Sequence, residues 1–172
     1  STSAKPAVKK TATTMTPPAK PAAKTPAPKQ ASPKVVEKTK AIRMGDPLME
    51  TTDMGPLSVP EQRELVEAHV RDAVERGARV LTGGERPSAK GNWFPPTVLV
   101  DVDGSMLAMR DETFGPTLPI QVVKDLDEAS RLASDSEFGL AASGWTRSRK
   151  PAQRLVSELS AGTVTINDHL FS

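Results

Sequence analysis

Apolar side chains recur at helical spacing most clearly in residues 60–77. There Val66, Val70, Ala73 and Val74 stand at i, i+4, i+7 and i+8 and form one stripe. This spacing predicts a helix, with Gly77 placed as its left-handed C-cap. A shorter helical pattern runs over 35–44, through Val35 or Val36, Lys38 or Thr39, and Ile42, and Gly45 and Pro47 stop it. Residues 45–58 read as a loop punctuated by Gly45, Pro47, Gly55 and Pro56. A short strand is expected over 78–81, closed by Gly83 and Gly84, and a hydrophilic loop follows. WFPPTVLVDV (93–102) reads as a strand whose start is edge-like, because Pro95 and Pro96 carry no N–H. A short helical turn fits 105–110, and LPIQVV (118–123) is β-rich. Asp125 or Asp127 caps a helix reaching about Ser134, with Ala129, Leu132 and Ala133 on one face. A strand of small residues over 140–146 implies a closely packed neighbour. A helix over 149–160 carries Leu155, Val156 and Leu159, Gly162 ends it, and TVTIN (163–167) is a last strand. The later alternation of strand and helix predicts right-handed β-α-β crossovers. The expected class is α/β, a largely parallel sheet with helical cover.

Composition divides the chain in two. Residues 1–34 hold seven Lys, seven Pro, eight Ala, six Thr and no acid. The whole chain has a net charge of +2, so the +7 of this segment leaves −5 for residues 35–172. All six aromatic residues lie beyond residue 92. Residues 1–34 are therefore expected to be a disordered Lys/Ala/Pro-rich tail, and the other 138 suffice for one domain. Two readings of the tail stand side by side. One is a basic arm that touches nucleic-acid phosphates nonspecifically; the other is a solvating linker.

Other observations narrow the chemistry. Cysteine is absent, which excludes disulfides, thiolate metal sites and a cysteine nucleophile within these residues. Its absence fits a reducing compartment, and a cytoplasmic setting is expected. No stretch approaches the roughly 18 apolar residues of a membrane span. The two histidines and the scattered acids show no metal-ligand spacing, and no metal is expected. The methionines Met44, Met49, Met54, Met106 and Met109 read as packing gap-fillers. His69 sits beside the apolar stripe and reads as a surface or boundary residue. His169 follows the last strand, where α/β proteins place ligand sites, yet no partner for it is in view. The acids that draw notice are Asp111 and Glu112 in RDETFGP, on a turn stiffened by Gly115 and Pro116. A carboxylate there can accept two hydroxyl hydrogen bonds, which suits a ribose diol, but spacing alone also allows a solvated loop acid.

Seven stretches occur in a fixed order: VVEKTKAIRMGDPL (35–48), TDMGPL (52–57), AVERGARVLTGG (73–84), NWFPPTVLVDV (92–102), ETFGPTLPIQVV (112–123), DSEFGLAASGWT (135–146) and AGTVTIND (161–168). Together they resemble the aldehyde dehydrogenase superfamily, over residues 35–172. The most specific element is Glu112-Thr113-Phe114-Gly115-Pro116, supported by Gly45-Asp46-Pro47 and Phe138-Gly139-Leu140. The resemblance implies NAD- or NADP-dependent oxidation of an aldehyde to a carboxylic acid. In that family a cysteine attacks the aldehyde to give a thiohemiacetal, hydride passes to nicotinamide, and a glutamate-activated water releases the acid. It further implies that this is the later part of the catalytic domain. Glu112 would hydrogen-bond the nicotinamide-ribose hydroxyls and Phe114 would pack beside the ring. Asn167, His169 and Phe171 would lie at the wall of the substrate tunnel. The partners it implies are an aldehyde and either the remaining enzyme half or further copies of the chain.

The departures from the family pattern shape the expectation. The Gly-rich cofactor-binding half, the Glu-Leu-Gly-Gly glutamate and the Gly-Gln-x-Cys nucleophile have no counterpart here, and the chain opens with Ser1. It is accordingly expected to be a fragment, inactive alone, that exposes apolar surface a whole enzyme would cover. The alternative is a noncatalytic interaction module whose basic arm binds nucleic acid or an acidic partner.

Overall fold

A computed structural model describes residues 32–169. Of the Lys/Ala/Pro-rich tail read over residues 1–34, residues 1–31 lie outside the described residues, as does Phe171, whereas Pro33 and Lys34 open a helix because a proline fits its first turn. The described order is α1 (Pro33–Ala41), α2 (Pro60–Glu75), β1 (Arg79–Thr82), β2 (Thr97–Val100), α3 (Leu107–Arg110), β3 (Thr117–Ile120), α4 (Leu126–Ser134), β4 (Ala141–Gly144), α5 (Arg149–Glu158) and β5 (Thr163–Ile166). Every element expected from the pattern is present, most of them shorter by a few residues. Pro60 opens α2, where a fixed φ and a missing N–H cost nothing. Gly77 closes it at φ +104°, its N–H bonded to Val74 O at 3.0 Å. Of the two candidate caps for α4, Asp125 serves, its carboxylate accepting from Glu128 N at 2.8 Å.

The strands form two sheets. The first has the order β1-β2-β3, with β1 antiparallel and β3 parallel to β2; the second pairs β4 and β5 in parallel. Two of the three pairings are thus parallel, and α5 makes the β4-α5-β5 crossover. The antiparallel β1–β2 pairing and the break between β3 and β4 are the departures from a single parallel sheet. The connection over 83–96 has room to reverse the chain. Gly83 and Gly84 turn it at φ +71° and +88°.

The core lies between α2 and the first sheet. All four residues of β2 are buried, because its ladder partners sit on both edges and helices lie over it. Val66, Val70 and Ala73 of the α2 stripe meet Phe94, Leu99, Val102 and Met106. Each fully buried aliphatic or aromatic side chain here contributes about 1.5–3 kcal/mol. Val74, the fourth residue of the stripe, is 45% exposed and lies at its rim. Met106 fills the core and Met109 packs against it. Met49, also expected as a gap-filler, instead stands 58% exposed in the 45–58 loop. That loop is pinned by a bidentate pair between Arg43 and Asp53, at 2.9 Å for both bonds. The guanidinium holds the Asp53 carboxyl far below the usual carboxylate range.

Candidate functional site

The segment carrying RDETFGP runs from the end of α3 into β3. Asp111 ends α3, its N–H bonded to Leu107 O at 2.9 Å. Its carboxylate pairs with Arg110 Nε at 2.8 Å, and this bond holds it below its ordinary range. Asp111 is thereby committed to its neighbour. Glu112 is not: its side chain is exposed and makes no hydrogen bond or ion pair among the described residues.

The next three residues are fastened to α2. Thr113 Oγ1 shares a hydrogen bond with His69 Nδ1 at 3.0 Å. Gln62 Nε2 donates to two carbonyls, Thr113 O at 2.6 Å and Phe114 O at 2.9 Å. Gly115 lies against Val66 so closely that a Cβ there would collide with the Val66 methyl. Phe114 sits at φ +44°, a left-handed conformation that is strained for a bulky L-residue and costs of order 1–3 kcal/mol. Its ring is 81% exposed. Downstream, Thr97 N bonds Pro116 O at 2.8 Å and ties the loop into the β2–β3 ladder.

Glu112 lines a cavity of about 720 Å³ with Arg110, Gln121, Leu132 and Phe138. Phe114 is not part of that lining; its ring faces solvent from the same loop. An unpartnered carboxylate beside an open cavity can accept from two vicinal hydroxyls, so the residues present fit the ribose of a nucleotide.

The C-terminal candidates Asn167 and His169 stand just beyond β5. Asn167, at φ +58°, spends its amide on the backbone of Thr146: Thr146 N donates to its Oδ1 and its Nδ2 donates to Thr146 O, both at 2.9 Å. It therefore splices the ends of β4 and β5. His169 is exposed, with its ring 6.5 Å from that of Trp145. Neither residue lines the cavity that holds Glu112.

His69 corrects the reading as a surface or boundary residue: it is only 6% exposed. Its imidazole is buried because Thr113, distant in sequence, supplies a polar partner. Gln62, Val66 and His69 were not singled out for this role. Their signal was spacing: i, i+4 and i+7 put all three on one face of α2. Among the described residues no group of three His, Cys, Asp or Glu is placed to hold a metal ion. No helix among them is long and apolar enough to cross a membrane.

The sequence profile of the aldehyde dehydrogenase family matches residues 26–172. A succinate semialdehyde dehydrogenase, NAD(P)+, of Escherichia coli strain K12 is 40% identical over 132 residues, 77% of this chain and 29% of that protein. The solved lactaldehyde dehydrogenase of Escherichia coli superposes with a TM-score of 0.77 at 38% identity, covering 81% of this chain and 29% of that one. The Staphylococcus aureus betaine aldehyde dehydrogenase in complex with NAD+ gives a TM-score of 0.75 at 34% identity, covering 80% and 28%. The chain thus spans less than a third of the length of these relatives.

Proposed function

The chain belongs to the aldehyde dehydrogenase family, and from that premise we propose that it supplies the nicotinamide-ribose clamp of an NAD(P)-dependent enzyme oxidising an aldehyde to a carboxylic acid. Glu112 accepts hydrogen bonds from the ribose hydroxyls, and Phe114 presents its ring to the nicotinamide. When bound, the dinucleotide supplies the hydride acceptor. The observation that carries the reading is the contrast within one loop. Residues 113–115 are locked to α2, while Glu112 beside them is unpartnered on a cavity. A fixed backbone holding a free carboxylate orients a ligand without reorganising, and orientation governs the rate of the reacting centre.

The relatives support an aldehyde as the substrate, and succinate semialdehyde is the first to test. A cytoplasmic setting belongs to the same proposal. No cysteine stands in the 172 residues, so the chain by itself should not oxidise aldehydes. Asn167, which holds β4 against β5, and His169 beside Trp145 stand in this reading at the wall of the substrate tunnel.

The test uses nicotinamide mononucleotide, which carries only the nicotinamide end. Saturation-transfer NMR of the full chain should show contact with its ribose protons. Glu112→Gln should weaken the affinity about tenfold, since a hydrogen bond to a charged group is worth about 1.5–3 kcal/mol before solvent exposure reduces it. Asp111→Asn should leave it unchanged, because that carboxylate is held by Arg110. Equal affinities for wild type and Glu112→Gln would remove the clamp.

A further inference from the structure

We propose that His69 and Gln62 are positioning residues: they impose the left-handed turn at Phe114, and so fix where Glu112 and Phe114 stand. The value of that position to a ligand rests on the clamp proposed above; the turn itself does not. Three polar contacts reach the loop from one face of α2. Gln62 Nε2 bridges the consecutive carbonyls of Thr113 and Phe114, at 2.6 and 2.9 Å. One donor that satisfies both oxygens requires them to converge, which an extended backbone does not allow. His69 grips the same residue through its side chain, at 3.0 Å from Thr113 Oγ1. Val66, one turn from each, occupies the space that a side chain at Gly115 would need.

The arrangement explains an alternation along the loop. Thr113 is drawn towards α2 at both its carbonyl and its hydroxyl, while Glu112 and Phe114 on either side of it are exposed. His69 is buried within the helix face that does the drawing. A histidine present only to fill space would not need an acceptor or donor at Nδ1. Here that nitrogen faces the hydroxyl of a residue 44 positions away.

Two matched pairs of variants separate positioning from packing. Thr113→Val removes the hydroxyl and keeps the shape, whereas Thr113→Ser keeps the hydroxyl. His69→Leu removes the polar group, whereas His69→Asn places a polar atom close to where Nδ1 stands. The primary readout is the strong intraresidue amide-to-Hα Overhauser effect that a positive φ produces, read at Phe114 in the full chain. It should be strong in wild type, Thr113→Ser and His69→Asn, and weakened in Thr113→Val and His69→Leu. A loss of general stability alone would not produce that pattern. The second readout is nicotinamide mononucleotide affinity, which should fall about tenfold only in the variants that lose the Overhauser effect. Thr113→Val decides the matter if His69→Leu does not fold. An undiminished effect at Phe114 in Thr113→Val overturns the positioning role, whatever the nucleotide does. If wild type shows the effect but binds no mononucleotide, the clamp fails and the turn is still judged by Phe114. If the effect is lost while affinity is kept, the positioning role of α2 stands and the clamp is overturned, because the loop's geometry then has no bearing on binding.

Discussion

Residues 57–110 and residues 124–169 are built from similar amounts of helix and strand but are held in opposite ways. Among the described residues, the first region contains every buried hydrophobic side chain of the core, from Val66 to Ala108. In the second, Ser130 and Gly144 are the buried residues, and neither brings a large apolar group. Several of its larger apolar side chains face outwards, Leu140 at 89% exposure, Trp145 at 65%, and Phe138 and Val156 at 54% each, while Leu126, Leu132, Leu155, Leu159, Val164 and Ile166 are only half-buried. α4 and α5 are tied by polar bonds: Arg154, paired with Glu158 on its own helix, reaches Asp127 of α4, and Ser160 N donates to Ser134 Oγ at 3.2 Å. Secondary structure can therefore be specified locally in both regions, whereas a self-sufficient core is present in only one. The second region has the apolar surface expected of a piece whose cover comes from elsewhere, and the chain's short span within its relatives agrees with that.

The largest expected effect sharpens this contrast directly. Leu99 is fully buried, so Leu99→Ala should cost about 2–5 kcal/mol in urea unfolding followed by Trp93 fluorescence. Leu140→Ala removes the same atoms from a solvent-facing position and should change stability by less than about 0.5 kcal/mol. Similar costs for the two would mean that the second region has a core of its own.

A smaller effect tests the polar ties of the first region. Asp72 accepts from Leu107 N at 2.8 Å and from Arg76 Nε at 2.7 Å, joining α2 to α3. These bonds, the Leu107 amide first, lower its carboxyl below the ordinary range. A depressed folded-state value stabilises above the unfolded pKa of about 3.9 and loses that contribution as pH falls through the folded value. Stability should thus drop on acidification below about pH 4, and less steeply in Asp72→Asn. Parallel slopes would show that the bonds to Leu107 and Arg76 do not hold the carboxylate.

The smallest effect belongs to the second region. Arg154→Gln breaks an exposed ion network that joins two helices, so its loss should be slight and should vanish at high salt, where exposed charges are screened. Amide exchange along α5 at low and high salt is the measurement. A large, salt-independent loss would mean that this region depends on the network as the first depends on Leu99.

How much of this was legible in the sequence follows from range. The α2 stripe was legible because Val66, Val70 and Ala73 mark one face within three turns, and they do enter the core. The caps at Gly77 and Asp125 were legible because their chemistry is local. Strand partners were not. Nothing in LPIQVV or AASGWT tells whether β3 and β4 pair, since ladder hydrogen bonds carry no side-chain signature. The reversal between β1 and β2 runs through a long connection instead of a two-residue turn. At the site, Glu112 and Phe114 stood out through their resemblance to a family pattern. The α2 residues that hold them did not, because His69 and Thr113 are 44 residues apart and each looks ordinary alone.

The central claim is that the Glu112 face of the locked loop receives the nicotinamide end of the dinucleotide. The most direct measurement is a backbone amide shift map of the full 172-residue chain titrated with nicotinamide mononucleotide. The account predicts shifts concentrated at residues 111–115, and at Gln121 and Phe138 across the cavity. A separate groove between α2 and β1, lined by Val70, Val74, Val80 and Gly84, should be unaffected. Shifts centred on that groove, or none at 111–115 at saturating mononucleotide, would contradict it.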